Sequence, residues 1–511
     1  MRGPRALGNL RDMNRRIFGL IVLALLAAAL IAWWIRPTPP PTPPPPPPAR
    51  EVFHSTKPLR IEVASALPPA ETAWLGYELR HLLNRGRMRV AAVDDVADAF
   101  TLRVSLDSDA NRATLALVAP DGVVERQEQL QLPHEHRLET ISALAQRLPQ
   151  FLGAQGASSN WATLIGTEDA NAYDAYLADA LELLGHGGQG LTRPGAAQSA
   201  RIVERLETLA RHQPRFTRAR AALAVAYLSL GGQDQSSLAQ LAKASAERAL
   251  AADDEIAEAH AALGLVHLRR GDWTAAREQF DRALALDANS AAALEGSGCL
   301  LVDAGRYTAA RPLIEHAVQL QPRNVGAREC LAYLDAGAGK AVEGDDEPPR
   351  DVARVQALAA ILAGDVDSAR RMLRASSSDE DFREWAEPLL QAATDRARIP
   401  DALQSITRAA SDGRIDATTE ILCGTALRRA EFVFNRMARL QRDREPVPLR
   451  MLWMPQTAFL RRHARFEQIV STAGLPAFWQ EYGPPDACNA DPKIYGCKTR
   501  PLSKGKPEQE P

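Results

Sequence analysis

The feature that most constrains this 511-residue chain is a thirty-four-residue period. Counted from Ala257, the residues Leu263, Gly264, Gly271, Trp273, Ala276, Phe280 and Ala283 fall at the seventh, eighth, fifteenth, seventeenth, twentieth, twenty-fourth and twenty-seventh places. Counted from Ala291, Gly298, Gly305, Tyr307, Ala310, Ile314 and Ala317 fall at the eighth and then the same later places, with Pro322 near the end of the unit. Small residues at the eighth and twentieth places let two helices approach closely, and a bulky twenty-fourth residue fills the gap to the next pair. A unit of this kind cannot bury its apolar face alone, so such units stack into a solenoid.

Two adjacent units in register resemble the tetratricopeptide repeat. The segment 217–256 carries Leu223, Ala224, Tyr227, Gly231 and Ala249 in the same places once six extra residues are allowed near "QDQSSLAQ". A more divergent unit precedes it, and 325–339 begins another, so the repeats are expected over 170–340. Residues 350–440 read as degenerate helical pairs that extend the stack, with a helical cap over 447–500 and a tail at 501–511. The resemblance implies a concave face lined by the second, fifth, ninth and twelfth places of the first helices. In the first unit these are Arg218, Ala221, Val225 and Leu228, and in the second Glu258, Ala261, Leu265 and Leu268. In the third they are Ala292, Glu295, Cys299 and Val302. The Lys and Asn residues with which related domains clamp a terminal carboxylate do not stand at these places. A protein or peptide held through apolar contacts is therefore the expected partner. The alternative is that the repeats pack against this protein's own domains.

The chain opens differently. Residues 17–35 carry no charge, and as a helix they would span about 28 Å, close to a hydrocarbon core of about 30 Å. Five arginines and one aspartate precede them in residues 1–16. The positive-inside rule then puts the N-terminus in the cytoplasm and the bulk outside. Ten of the twelve residues of 37–48 are proline, so 36–56 reads as a polyproline II stalk, the proline run itself roughly 35 to 40 Å long. The expected location is a bacterial inner membrane, single-pass through 17–35, with the bulk in the periplasm. A cleaved signal peptide fits less well, because the apolar stretch is long and no small-x-small site follows it.

Between stalk and repeats, 57–153 alternates as β-α-β-β-β-β-α, with a short strand expected at 89–93. "FTLRVSL" points Phe100, Leu102, Val104 and Leu106 to one side. The order is similar to the small α/β domain at the N-terminus of TolB-like periplasmic proteins. The ending resembles the terminal segment of repeat modules in ToxR-like regulators and some class III adenylyl cyclases, carried by Leu452, Trp453, Pro455, Leu460, Arg461, Phe466, Gly474, Trp479, Gly483, Pro485, Asp486 and Cys488. Sixteen residues ahead of the span leave a cytoplasmic output domain unexpected there. The fold class is thus α+β: one transmembrane helix, a small α/β sandwich, then an all-α solenoid.

A formal net charge of -2 argues against a nucleic-acid binder. No HExxH helix, GxSxG elbow or phosphate loop is present, and "GAGKA" at 337–341 lacks the Walker spacing. His134 and His136 flank a turn, while His260 and His267 fall at packing places within a repeat. No catalytic, metal or cofactor constellation is expected, and the chain reads as a non-enzyme. Of five cysteines, Cys488 and Cys497 stand among turn residues and should form a disulfide in an oxidising compartment. Cys299 and Cys330, on successive repeats, either pair or stay as buried thiols, and Cys423 is expected free. The reading is a periplasmic scaffold for assembly of an envelope complex, with a sensor subunit signalling through a membrane partner as the alternative.

Overall fold

The computed structural model describes residues 57–63, 68–91, 98–107, 111–133, 136–154, 161–183, 196–230, 235–340 and 348–497. The basic tail, the expected span 17–35, the stalk, His134 and the C-terminal tail lie outside the described residues. Among the described residues no helix is long and apolar enough to cross a membrane.

Four strands form one sheet in chain order: β1 (Leu59–Val63), β2 (Phe100–Asp107), β3 (Arg112–Val118) and β4 (Val124–Gln131). β1 runs parallel to β2, and the other pairings are antiparallel, with Leu102 opposite Leu117 and Val104 opposite Leu115. The alternation seen in the sequence sets the register: Phe100, Leu102 and Val104 are buried, while Arg103 between them is exposed. Helices α1 (Pro69–Arg85) and α2 (Arg137–Phe151) cover the buried face through Leu75, Leu79, Leu82, Ile141 and Leu144. The strand expected at 89–93 is reduced to one bridge, Val90 beside Leu59. Leu59 donates to Arg89 O at 2.8 Å and Ala91 donates back to Leu59 O at 2.9 Å. Among the described residues the sheet has four strands, and residues 92 and 93 of the expected fifth lie outside them.

Helix pairs follow. α3 (Ala170–Leu183) and α4 (Ala196–His212) form the divergent first pair, and α5 (Thr217–Ser229) with α6 (Gln235–Ala252) the second. The two in-register units are α7 (Ala257–Arg269) with α8 (Trp273–Leu286), and α9 (Ala291–Asp303) with α10 (Tyr307–Leu320). Their spacing has a visible cause. A Cβ added at Gly264 would sit 2.5 Å from the Phe280 ring, so the eighth place must stay small for the twenty-fourth to fit. α11 (Val325–Gly337) leads into α12 (Arg350–Ala363) and α13 (Val366–Ala375), and further pairs run to α14 (Ala417–Ala426) and α15 (Ala430–Asp443).

The α/β domain and the solenoid share a core. Leu79, Phe100 and Ile141 belong to the same buried cluster as Tyr173, Tyr176, Phe216 and Val266. Cys299 and Cys330 are joined by a disulfide that ties α9 to α11, and Cys488 is joined to Cys497. Cys423 is free and buried, and burial pushes its thiol up to about 12.

The C-terminal segment covers the last helix of the stack and reaches beyond it: Gln441 Nε2 on α15 donates to Ile469 O at 2.9 Å, and the Phe434 ring stacks on His463. The short helices α16 (Phe466–Thr472) and α17 (Leu475–Tyr482) and the 3-10 turn at Arg450–Trp453 fold back onto the turns between the paired helices of the middle units. Trp453 Nε1 donates to Asp303 O at 2.8 Å and Trp479 Nε1 to Ala304 O at 2.9 Å, both carbonyls at the C-terminus of α9. Trp273 at the start of α8 donates to Ala473 O at 2.5 Å. A helix end leaves its last carbonyls without helical partners. The indoles cover apolar surface and supply the missing donors together. The expected cap on the last helices is thus extended into a flank that also spans several earlier repeats.

Candidate functional site

The concave face begins at α5, where α1 of the α/β domain lies across it. Arg218 is 3 % exposed and its partner Glu78 on α1 is fully buried. The two guanidinium nitrogens donate to the two carboxylate oxygens at 3.0 and 2.8 Å. The rings of Tyr77 and Tyr176 lie under the guanidinium, at 5.4 and 5.1 Å from ring centroid to carbon. Burial works against the Arg218 charge, and Glu78 with the tyrosines more than offsets it, so the group titrates well above its ordinary range.

Around this pair the contacts are polar and satisfied. Tyr77 and Tyr176 share a hydroxyl hydrogen bond of 2.8 Å, and Tyr77 reaches Glu258 Oε1 at 3.3 Å. Trp74 Nε1 donates to the Tyr173 hydroxyl at 2.9 Å. His81 is pushed well below its usual range by burial and then by Arg218, so it is neutral. Its Nε2 lies 3.0 Å from Leu164 O, and a carbonyl can only accept, so that nitrogen carries the proton. Arg85 pairs with Asp253 at 2.8 Å, and Asn289 donates to Ala91 O at 3.1 Å. Burial also raises the Glu258 carboxyl above its ordinary range, with Arg218 opposing the rise.

The sequence-derived groove is thereby divided. Arg218 and Ala221 are internal packing, filled by α1. Cys299 is held in the bridge to Cys330, Val302 is fully buried in the core shared with the C-terminal helices, and Leu268 packs against that same core. None of these five lines the cavity that remains beside α1. The physical reason is that an apolar concave surface in one chain finds its nearest apolar and ionic complement in the same chain.

What remains open is a cavity of about 180 Å³ between α1 and the repeats. Its floor is Val225, Leu228, Ala261, Leu265 and Ala292, with Glu258 and Glu295 at the sides. The opposite wall comes from α1: Tyr77, Arg80, His81, Asn84 and Arg85. Asn289 and Asn324, from the turns that close successive units, complete the rim. Asn324 donates to Glu295 Oε2 at 2.8 Å and caps α11 through Ala327 N.

Sequence reading missed the α1 wall, although a signal was there. Trp74, Tyr77, Glu78, His81 and Arg85 recur at helical spacing on the side of α1 away from the sheet, a second stripe with two aromatic rings on a helix whose first stripe already fills the core. His260 is half-buried, and its ring nitrogens lie 2.8 Å from Gln279 Oε1 and 3.0 Å from Asp254 O. Among the described residues no three His, Cys, Asp or Glu side chains converge as a metal site.

Comparison with known proteins agrees with this geometry at one place. The family described as tetratricopeptide repeat matches residues 257–290, the unit built by α7 and α8. No curated protein matches the chain. The chain carries a tetratricopeptide repeat at 257–290, set within a longer run of stacked helix pairs.

Proposed function

We propose that the protein is a non-catalytic scaffold for protein–protein interaction. It is held in a bacterial inner membrane by residues 17–35, with its N-terminus in the cytoplasm and its bulk in the periplasm. The observation that carries the scaffold reading is the cavity beside α1, which has an apolar floor and walls fixed by buried hydrogen bonds before any partner arrives. A preformed site of this kind loses little conformational freedom on binding. No nucleic acid or cofactor is required.

A photo-crosslinking amino acid at position 265 should trap a defined partner in intact cells, identifiable by mass spectrometry. Leu265→Glu places a charge on the apolar floor and should lower capture about tenfold or more, the usual size of a central contact. Circular dichroism should remain unchanged, because Leu265 is only partly buried. Undiminished capture by the folded variant would show that the cavity is not the partner site.

The two disulfides support the periplasmic reading, because such bonds persist in oxidising compartments. With thiols blocked at lysis, peptide mapping should give 299–330 and 488–497 linkages and a single unlinked cysteine, Cys423. On the loop-entropy account the two bridges are worth about 3 to 4 and about 2 to 3 kcal/mol. Recovery of Cys299 and Cys488 as alkylated thiols from fresh cells would refute the compartment and leave the groove reading to its own test.

A further inference from the structure

The two edges of the sheet are treated differently. β1 is five residues long, and Arg89–Ala91 run along its outer side through the hydrogen bonds at Leu59. β4 is eight residues long, holds no proline, glycine or lysine, and among the described residues pairs with a strand on one side only, that of β3. Proteins usually blunt such an edge with a short strand, a proline, charged side chains, a bulge or a cover. β4 carries Glu125, Arg126 and Glu128, and its register with β3 slips at its head between Leu117 and Val118, whereas from Arg126 to Gln131 the pairing is regular and holds no proline or lysine. At its head stand Val123 and Val124, 46 % and 45 % exposed, two of the three exposed large hydrophobic residues described.

The sequence of β4, VERQEQLQ, is complementary to itself in one antiparallel register. We propose that β4 pairs with β4 of a second copy of this chain, with Gln127 opposite Gln127 of the second copy, so that two four-stranded sheets become one of eight strands. About the two-fold axis this places Arg126 opposite Glu128, on the regular stretch of β4 beyond the register slip at its head. Residues directly opposite share a face of the sheet, so the paired residues must have the same parity in the chain, as Arg126 and Glu128 do. The neighbouring symmetric registers fail on charge: centring on Arg126 sets two guanidinium groups face to face, and centring on Glu128 sets two carboxylates face to face.

Arg126 and Glu128 already have partners within one chain, Phe151 O and Arg147. A guanidinium has five N–H donors and a carboxylate about four lone pairs, so both can hold a second partner across the axis. Gln127 is exposed and outside the core, which makes it a safe position for substitution.

The test is register-specific crosslinking of the full-length protein in detergent or nanodiscs. Opposed Cα atoms in an antiparallel pair lie about 4.5 to 5.5 Å apart, within disulfide reach. Gln127→Cys should therefore form a covalent dimer on mild oxidation. Glu125→Cys should not, because its own copy across the axis is four residues along the strand, about 13 Å away. The native cysteines contribute little background, since four are in disulfides and Cys423 is buried. Gln127→Lys, which opposes like charges without touching the core, should move the population toward monomer by mass photometry while leaving the circular dichroism unchanged. Crosslinking of Gln127→Cys no faster than Glu125→Cys would overturn the proposal, as would a wild-type protein that stays monomeric at every concentration tested. A peptide of another protein adding to this edge would give that monomeric result.

Discussion

Glu78→Gln is expected to destabilise the protein by about 3 to 5 kcal/mol, because it leaves Arg218 charged, buried and without its counter-ion. The substitution keeps the shape of the side chain, so the loss isolates the charge from any cavity. Arg218 is 3 % exposed and cannot turn to solvent. Its remaining polar contact is Ile165 O at 3.5 Å, too long to replace two charge-assisted bonds. The companion experiment is Glu78→Leu with Arg218→Met, which removes both charges at similar volume and should recover most of the stability, since a buried pair is often worth no more than apolar residues in its place. Urea unfolding followed by tryptophan fluorescence reads both, with Trp74 beside Tyr173 at this same junction. If Glu78→Gln costs under about 1 kcal/mol, the range of exposed pairs, then the junction is wetter than its burial implies.

The same pair explains why the placement of the α/β domain was illegible in the sequence. The thirty-four-residue pattern declares α7 to α10 because each small or bulky residue contacts a partner a fixed distance along the chain: Gly264 meets Phe280 within one unit, and Gly296 meets that ring from the next. Such contacts leave a periodic trace. Glu78 meets Arg218 across 140 residues and Trp479 meets Ala304 across 175, and a contact formed once leaves no period. Glu78 on a helix otherwise explained by Leu75, Leu79, Leu82 and Leu83 reads as solvent-facing until a second surface is known to cover it. The groove was legible to the same degree. Val225, Leu265 and Glu295 line the open cavity because repeat geometry places them there, whereas Arg218 and Val302 were claimed by parts of the chain that the repeat pattern does not describe.

Trp479→Ala should cost about 3 to 5 kcal/mol and release the C-terminal flank from the repeats. Trp479 is fully buried, its indole donates to Ala304 O, and its ring stands edge-on to Trp453 with centroids 5.7 Å apart. Truncation removes a large apolar contact and leaves the carbonyl at the end of α9 without its donor, so transfer, cavity and hydrogen-bond losses act together. Trp479→Phe separates them: it keeps most of the ring volume, removes the N–H, and should cost about 1 to 3 kcal/mol, the penalty of an unsatisfied buried carbonyl plus a small void. A third variant approaches the contact from the other side. Gly305 has φ of +80°, and a Cβ there would fall 2.6 Å from the Trp453 ring and 2.8 Å from Pro485. Gly305→Ala therefore combines backbone strain with a clash that neither rigid neighbour can relieve, and should also loosen the flank. Limited proteolysis reads the local consequence, because a detached segment between Arg444 and the Cys488–Cys497 loop becomes cleavable while the repeats stay resistant. If all three variants lose stability in step and no new cleavage appears there, the flank unfolds with the solenoid as one unit. Early cleavage of Trp479→Ala and Gly305→Ala with α7 to α10 intact would show that the repeats stand without it and that the indole contacts are what fasten it.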